Sequence, residues 1–264
     1  MKISAFTISR NLLSLGYPYI ETALSLIDVV DEYVVLECGS QDNTEYWWEM
    51  LRHKYPEKVR IEYGGWPDTT KVYGSGEGRV SGIAQDRGLE LCTGDYALCA
   101  HADEVWHPES AVLIPHYCSL DMGAISIPYL HLANNFQTLD EYNTQCFTQA
   151  EMLVKTNAGW SSDGDGWRFW KGKGPTMVNT SFPKPLCHVG YVFPVNLHRK
   201  RINHAKLYPA KQMYQDLAAE SEQALASGEF GPLFDKTTSP YDLPAILKPL
   251  VGVKEYFIRP ELFG

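Results

Sequence analysis

A histidine and two acidic residues follow a short hydrophobic run near the middle of the chain. Residues 96–100 read Tyr-Ala-Leu-Cys-Ala, and His101, Asp103 and Glu104 come directly after them. Carboxylates are hard oxygen ligands of the kind that Mg²⁺ and Mn²⁺ prefer, and such an ion can bridge the phosphates of a bound diphosphate. The spacing indicates a metal-assisted phosphate site, unless Asp103 and Glu104 only cap a helix expected to begin near Pro108.

A second acidic residue, Glu37, ends a hydrophobic run and precedes a Gly-Ser-Gln-Asp turn that opens a helix. A carboxylate at the end of a strand faces the ligand crevice of an α/β protein, where it can accept hydrogen bonds from a nucleobase imide or a ribose hydroxyl. The alternative is a turn in which Asp42 or Asn43 caps the next helix. The two interpretations are compatible, because Glu37 and Asp42 need not share a role.

Two further carboxylates, Asp163 and Asp165, lie among tryptophans and glycines in the second half of the chain. Aromatic rings suit the faces of sugars, and a carboxylate beside them can act as the general base that removes a proton from a hydroxyl group. Asp165 is the preferred base, because the nearby Trp167 could form a dry wall that raises its basicity. A glycine-rich turn with solvated aspartates is the alternative.

His188 lies alone in an apolar stretch ahead of a basic cluster that includes Arg199 and Arg201. A histidine on an apolar strand is either a packed core residue or a metal ligand. The basic cluster could neutralise a diphosphate, or it could be the solvated face of a helix.

A glycine-rich stretch at residues 74–79 ends in Arg79. It lacks the Gly-Lys-Ser/Thr ending of a phosphate loop, so we reject that assignment. The stretch is either a flexible loop that brings Arg79 to a nucleotide or a plain surface turn.

Strand and helix patterns alternate through the first hundred residues, and these elements would position the candidate side chains. Hydrophobic runs predict strands, and periodic apolar residues predict the helices between them. The predicted strands are residues 3–8, 32–36, 59–63 and 96–100, and the predicted helices are residues 17–30, 44–55 and 80–92. This order predicts an α/β fold with a mostly parallel sheet covered by helices on both faces, and ligands at the carboxyl ends of its strands.

The pattern changes after Pro108 to an α+β arrangement with long loops. We expect strands at residues 124–132 and 144–155, helices over residues 196–227 with a break at Pro209, and a proline-punctuated tail that wraps the surface. The predicted units are residues 1–109, residues 110–195, and a helical extension and tail at 196–264.

Composition excludes several classes of protein. The chain has 264 residues, with 23 Lys+Arg against 32 Asp+Glu, so its formal net charge is 23 − 32 = −9. This acidic balance argues against nucleic acid as a partner. No apolar run reaches the roughly 18 residues of a membrane span, and no signal-peptide core is present. Six scattered cysteines without a Cys-x-x-Cys pair indicate free thiols, so we expect a soluble cytoplasmic protein.

Four segments, in this order along the chain, resemble the family-two glycosyltransferases of the GT-A type. They are Ser9-Arg10-Asn11, residues 30–44, residues 84–96 with their Thr-Gly-Asp-Tyr ending, and His101-Ala102-Asp103-Glu104. The resemblance is dense over residues 1–109, thinner beyond, and absent after about Pro209. The sequence departs from the family pattern at four places: Leu12, Glu37, Gln85-Asp86, and His101, which replaces the first Asp of the D-x-D motif.

The resemblance implies a GT-A, Rossmann-like fold with a C-terminal α+β acceptor region and a helical tail. It makes residues 1–109 the nucleotide-sugar-binding half and residues 110–195 the acceptor and catalytic half. It implies that Glu37 contacts the base, His101 the ribose and Asp103 the metal, and that His188 completes a Mn²⁺ or Mg²⁺ site. The donor-binding residues it suggests are Thr7, Ser9, Arg10, Glu37, Arg79, Gln85, His101, Arg199 and Arg201.

The implied function is metal-dependent transfer of a sugar from a nucleotide diphosphate, with UDP favoured, to an acceptor hydroxyl with inversion. Asp165 or Asp163 would be the base, and the acceptor would be a glycan, a lipid-linked molecule or a small molecule that the sequence does not identify. One rival is a non-catalytic nucleotide- or glycan-binding protein on a decayed GT-A scaffold, motivated by His101. A second is a nucleotidyltransferase, whose Gly-rich motif near the first strand is replaced here by Ser9-Arg10-Asn11.

Overall fold

The protein is described here from a computed structural model. The described residues are 1–67, 79–133, 135–136, 138–140, 149–163, 166, 168–170, 181–207, 212–230, 237–239 and 241–264.

The first half of the chain alternates strands and helices, as the sequence predicts. Its elements are β1 (Ile3–Ser9), α1 (Tyr19–Leu24), β2 (Glu32–Glu37), α2 (Thr44–Lys54), β3 (Val59–Tyr63), α3 (Arg79–Leu91), β4 (Tyr96–Cys99), β5 (Glu104–Val105), α4 (Pro108–Ala111) and α5 (Ile114–Ser119).

The second half adds further strands and two long helices. Its elements are β6 (Ala124–Ala133), β7 (Thr138–Leu139), β8 (Gln149–Lys155), β9 (Ser161–Asp163), β10 (Arg168–Trp170), β11 (Leu186–Tyr191), α6 (Pro194–Leu207), α7 (Gln212–Ser227), β12 (Thr237–Thr238) and 3₁₀ turns at Ala245–Leu250 and Pro260–Leu262.

One mixed sheet joins both halves. Strands β3, β2, β1 and β4 lie side by side in that order, and all three pairings between them are parallel. Strand β8 then pairs antiparallel with β4 and with β6, and β11 pairs parallel with β6. This arrangement confirms the predicted α/β class, and the first hundred residues build its four neighbouring parallel strands. The boundaries at residues 109 and 195 stay predictions.

Burial explains why the parallel strands form the core. All six residues of β2 are buried, and because successive side chains of a strand point to opposite faces, both faces of the sheet are covered there. Helix α2 buries Thr44, Trp48 and Leu51, which recur at the i, i+4 and i+7 spacing of one helical face.

The predicted helix over residues 17–30 is wrong in length, since α1 ends at Leu24 and turns follow. The hydroxyl of Ser25 donates to the Thr22 carbonyl at 2.7 Å and accepts from the Trp106 backbone N–H at 3.1 Å. A serine that bonds its own backbone in this way competes with helix continuation. Leu26 and Ile27 nevertheless stay in the core.

The prediction for residues 196–227 is confirmed as two helices, α6 and α7, and Pro209 lies outside the described residues. The tail, expected to wrap the surface, also contributes side chains to the interior. Leu247, Leu250 and Tyr256 are buried, because the apolar side chains of the 3₁₀ turn and of Tyr256 join the hydrophobic core.

Within the part of the chain that the structure describes, no helix combines the length and apolar character needed to cross a membrane. The five described cysteines, at positions 38, 92, 99, 118 and 187, carry free thiols.

Candidate functional site

A cleft of about 530 Å³ opens at the carboxyl ends of β1 and β4. The connections from β1 run outward to β2 and β3, whereas β4 lies on the other side of β1, so the strand order reverses between β1 and β4. Ligands of open α/β sheets bind at such a reversal. The described lining comprises Ile8, Arg10, Asn11, Leu12, Leu15, Tyr17, Trp66, Ser81, His101, Ala102, Asp103, Gly166, Asn203, His204 and Lys206.

The turn after β1 is fixed against the turn after β2. Asn11 has a left-handed backbone, with φ of 53°, a conformation that asparagine tolerates better than most residues. Its backbone N–H donates to the Ser40 hydroxyl at 3.0 Å, and its side-chain oxygen accepts from the Gln41 N–H at 2.6 Å. These bonds set the direction in which Arg10 leaves the strand.

Glu37 lies inside the protein, where it holds these turns together. It is 1% exposed, and its carboxylate accepts from the Ser9 hydroxyl and from the Ser40 backbone N–H, both at 2.6 Å. The Trp48 indole N–H in turn donates to Ser9 at 2.9 Å. Glu37 and Ser9, both expected to bind the donor, are therefore used internally and do not line the cleft.

Thr7 and Gln85 are also placed in the interior. The Thr7 hydroxyl donates to the Ala100 carbonyl at 2.7 Å and shares a hydrogen bond with the Tyr33 hydroxyl. The Gln85 side-chain oxygen accepts from the Ser162 hydroxyl. Both residues therefore act on the position of neighbouring strands, and neither is among the cleft residues.

Arg10 lines the cleft as predicted, and its partner Trp66 was missed by the sequence analysis. The guanidinium carbon lies 5.3 Å from the centroid of the Trp66 ring, within the range of a cation–π contact. Trp66 follows β3 in a segment without a recognisable motif, so only the fold brings it to Arg10.

His101 lies at the cleft, as expected, but both of its ring nitrogens bond to the protein. Nδ1 lies 2.7 Å from the Glu104 carboxylate and Nε2 lies 2.9 Å from the Gly166 carbonyl oxygen. Because a carboxylate and a carbonyl only accept, both nitrogens must donate, which requires the protonated ring. Burial would lower the pKa of His101, but the Glu104 carboxylate outweighs it and holds that pKa well above its usual value.

Asp103 and His188 come together as the predicted metal pair, but a lysine shares the position. Asp103 Oδ2 lies 3.5 Å from His188 Nε2 and 3.1 Å from Lys200 Nζ. Burial opposes ionisation of Asp103, yet Lys200 and His188 hold its pKa well below the usual range. Asp103 is therefore an ionised partner of a buried ammonium group.

Gly190 makes this close approach possible. A Cβ atom at this position would lie 2.3 Å from Asp103 Oδ2 and 2.8 Å from Lys200 Nζ, so any side chain would push the pair apart. Gly190, two residues after the predicted metal ligand His188, thus makes room for Lys200.

These residues do not fit a divalent cation. The carboxylate oxygen that would coordinate the ion is bonded to an ammonium group, and the described residues contain no cluster of three or more His, Cys, Asp or Glu side chains that could hold a metal. Lys200 was not predicted at this position, because in the sequence it is only one member of the basic run at residues 198–201.

Helix α6 forms the opposite wall with a different face from the one predicted. Lys200, Asn203 and His204 share one helical face by their i, i+3 and i+4 spacing, and the last two line the cleft together with Lys206. Arg199 instead pairs with Glu255 and lines a second cleft.

Two other residues of α6, Arg201 and His204, differ in their surroundings. Arg201 is partly buried and near Glu220, and it is not among the cleft residues. Burial and the charge of Lys200 lower the pKa of His204 to about 4, so its ring is neutral at pH 7.

The side chains of both candidate bases lie outside the described part of the chain. Asp165 is outside the described residues, and the backbone of Asp163 pairs with Arg168 in the β9–β10 hairpin. Gly166, directly after Asp165, lines the cleft. Arg79 begins α3, but its side chain lies outside the described part, whereas Ser81 on the same helix reaches the cleft.

No protein-family model and no curated protein matches this chain. Among solved structures, S. aureus TarS 1-349 in complex with UDP is 12% identical, covering 86% of this chain and 72% of that one with a TM-score of 0.46. The complex of the same protein with UDP-GlcNAc is 15% identical over 86% and 71%, with a TM-score of 0.42.

A third similar structure is glucosyl-3-phosphoglycerate synthase from Mycobacterium tuberculosis in complex with Mn²⁺, UDP and glucosyl-3-phosphoglycerate. It is 15% identical, covering 59% of this chain and 56% of that one, with a TM-score of 0.34. The chain is thus similar, at low sequence identity, to nucleotide-sugar glycosyltransferases of the GT-A fold.

Proposed function

We propose that the protein is a glycosyltransferase that binds a UDP-sugar in the cleft at β1 and β4 and transfers the sugar to an acceptor hydroxyl with inversion. The observation that carries the proposal is the composition of this cleft. It lies at the reversal of strand order, and residues that follow β1 and β4 meet polar residues of α6 across it.

The charges around the cleft suit a diphosphate. The protein carries a net charge of −9, so an anionic ligand depends on local cations. Arg10 on one wall and Lys206 on the other supply them. The planar guanidinium of Arg10 can bind phosphate oxygens in a bidentate manner, whereas Lys206 acts as a point charge.

Neutral polar groups on the same wall suit the sugar or ribose. His204 is uncharged at pH 7 because its pKa is lowered to about 4, and Asn203 lies beside it at the cleft. A neutral imidazole and an amide can each donate and accept hydrogen bonds with hydroxyl groups.

In the proposed reaction, Asp165 or Asp163 takes the proton of the acceptor hydroxyl while that oxygen attacks the anomeric carbon. The bond between this carbon and the UDP oxygen breaks on the opposite face, and UDP leaves with the bonding electrons. Gly166 supports this assignment, because it lines the cleft and its carbonyl oxygen accepts from His101. Gly166 directly follows Asp165 in the sequence, and a general base must lie within hydrogen-bond reach of the acceptor hydroxyl.

The expected Mn²⁺ or Mg²⁺ takes no part in this proposal, since Lys200 occupies the carboxylate that would bind it. Arg10 and Lys206 are the groups that we propose stabilise the departing diphosphate.

The test of the base is Asp165→Asn, with Asp163→Asn as the matched control. Loss of a general base lowers rate by about 10²–10⁴-fold, so we expect that loss in sugar transfer for Asp165→Asn with nearly unchanged UDP affinity. NMR of the product's anomeric centre should show inversion. If both variants transfer sugar at the parental rate, neither aspartate is the base.

A non-catalytic binding protein is the second candidate. Glu37 and both nitrogens of His101 are bonded internally, so two groups expected to contact the donor are already used. Tight UDP binding without sugar release from any UDP-sugar would favour this candidate.

A further inference from the structure

We propose that Lys200 is a built-in cation that takes the place of a divalent metal at Asp103 and His188, so that the cleft binds a nucleoside diphosphate without metal. The identity of the ligand as a nucleoside diphosphate rests on the function proposed above, whereas the exclusion of a divalent metal depends only on the position of Lys200.

The ammonium group is fixed by several partners. Lys200 Nζ donates to Asp103 Oδ2 at 3.1 Å and to the Gly190 carbonyl at 3.2 Å. It lies 4.1 Å from the Tyr17 ring centroid and 5.1 Å from that of Tyr191. A lysine usually keeps its ammonium group in water at the surface. Lys200 is instead 5% exposed, and these four partners define its position.

Lys200 also neutralises the negative charge of Asp103. Asp103 contributes one negative charge, and Lys200 balances it. A divalent ion bound at the same oxygen would lie beside the ammonium and be repelled by it. His188 Nε2 adds a third group around that oxygen, at 3.5 Å, and leaves little room for further ligands.

The pair lies directly at the cleft. Asp103 and Tyr17 both line it, and Lys200 contacts both from behind. Lys200 is not itself among the cleft residues, so its ammonium group acts from beneath the surface. There it neutralises the Asp103 carboxylate that a diphosphate held by Arg10 and Lys206 would meet. Gly190 supplies the space that this arrangement needs.

The deciding measurement is UDP affinity of the unmodified protein by calorimetry, once with EDTA and once with Mn²⁺. We expect the two dissociation constants to agree within about twofold, well below the tenfold change that a binding difference of about 1.4 kcal/mol would give. Loss of binding in EDTA by more than about tenfold, with recovery in Mn²⁺, would overturn the proposal.

Lys200→Met, compared with the exposed Lys248→Met as control, adds a second test. We expect UDP binding in EDTA to weaken by about tenfold or more in Lys200→Met and to stay parental in Lys248→Met. Parental binding by a folded Lys200→Met protein would show that the ammonium does not serve the ligand. If circular dichroism shows that Lys200→Met is unfolded, the measurement on the unmodified protein still decides.

Binding of Mn²⁺ in the absence of nucleotide tests this proposal separately from the function proposed above. If UDP fails to bind under every condition, the glycosyltransferase proposal fails. The Mn²⁺ electron paramagnetic resonance signal, recorded on nucleotide-free protein, then tests Lys200. We expect no bound Mn²⁺, and binding that is lost in Asp103→Asn would overturn the built-in cation.

Discussion

Two buried acid–base pairs connect the early part of the chain to its C-terminal segments, and they differ in what surrounds them. Asp103 meets Lys200 at 3.1 Å beside the cleft. Glu21 of α1 meets Arg259 of the tail at 3.2 Å and also accepts from the Tyr256 hydroxyl at 2.7 Å. Glu21 is 0% exposed, and neither it nor its partners line the cleft that Asp103 lines.

The two carboxyl groups respond to burial in opposite ways. Burial raises the pKa of Glu21, and Tyr256 and Arg259 only partly offset it. At Asp103 burial is outweighed by Lys200, and the pKa falls well below its usual range. The tail pair therefore tolerates protonation, whereas the cleft pair keeps its two charges. We infer that the first is an attachment of the tail and the second a charged element of the site.

The largest expected effect on this difference between the two pairs is that of Lys200→Met, which leaves an ionised Asp103 without its main partner. Removal of one member of a buried ion pair costs about 3–5 kcal/mol, and we expect that loss in the free energy of unfolding by urea. Lys248→Met should change it by less than about 0.5 kcal/mol, as exposed substitutions usually do. A loss under about 1 kcal/mol for Lys200→Met would mean that the pair is solvated like a surface bridge.

Arg259→Met should cost less, because Glu21 can take up a proton and keep its hydrogen bond to Tyr256. We expect about 1.5–3 kcal/mol, the range for a hydrogen bond to a charged group. UDP affinity should stay parental, since Arg259 does not line the cleft. Weakened UDP binding in a folded Arg259→Met protein would connect the tail to the site and remove the distinction.

Gly190→Ala tests whether the close approach at the cleft matters. The added Cβ must displace Asp103 or Lys200, and overpacking of this kind costs about 1–3 kcal/mol. The free energy of unfolding and the UDP affinity should fall together in Gly190→Ala. In Gly228→Ala nothing lies near the added atom, so only the free energy of unfolding should fall, because Gly228 has a positive φ of 70°. Normal UDP affinity in Gly190→Ala would show that the pair can move apart without consequence.

The smallest expected effect is a difference in pH dependence. The contribution of Asp103 is present above its ordinary pKa of about 3.9 and is lost as pH falls below it, because its folded-state pKa is lowered. Glu21 has the opposite sign: its contribution is present at low pH and is lost as pH rises through its raised pKa.

Urea unfolding of Asp103→Asn and Glu21→Gln between pH 3 and pH 7, compared with the parent, should therefore give differences of opposite slope, each below about 1.4 kcal/mol per pH unit. Slopes of the same sign would contradict the contrast between the two pairs.

The fold was predictable where burial alone decides the pattern. The strands at residues 3–8, 32–36 and 59–63 were found within a residue of their ends. Nearly every side chain of β1 and β2 is buried, and β3 alternates Val59 and Ile61 with charged residues. Helix α1 was not, since the Ser25 hydroxyl bonds that end it involve Trp106, more than eighty residues away.

For the site, the sequence predicts which polar residues follow the strand ends, but not the direction in which their side chains point. His101, Asp103 and Arg10 line the cleft because they follow the carboxyl ends of β1 and β4, while their roles stay predictions. Arg199 was preferred to Lys200, although neighbouring residues of a helix point about 100° apart. Which of them faces the cleft is set by the contacts of α6 with Tyr17 and Glu255, and these depend on tertiary packing.

Release of UDP from UDP-sugars, measured in the presence of EDTA over a set of UDP-hexoses and UDP-N-acetylhexosamines, tests the central claim most directly. We predict that at least one donor releases UDP without added metal and that Asp165→Asn lowers this rate by about 10²–10⁴-fold. Absence of release from every donor, with EDTA or with Mn²⁺, in a protein that still binds UDP would contradict the assignment as a glycosyltransferase.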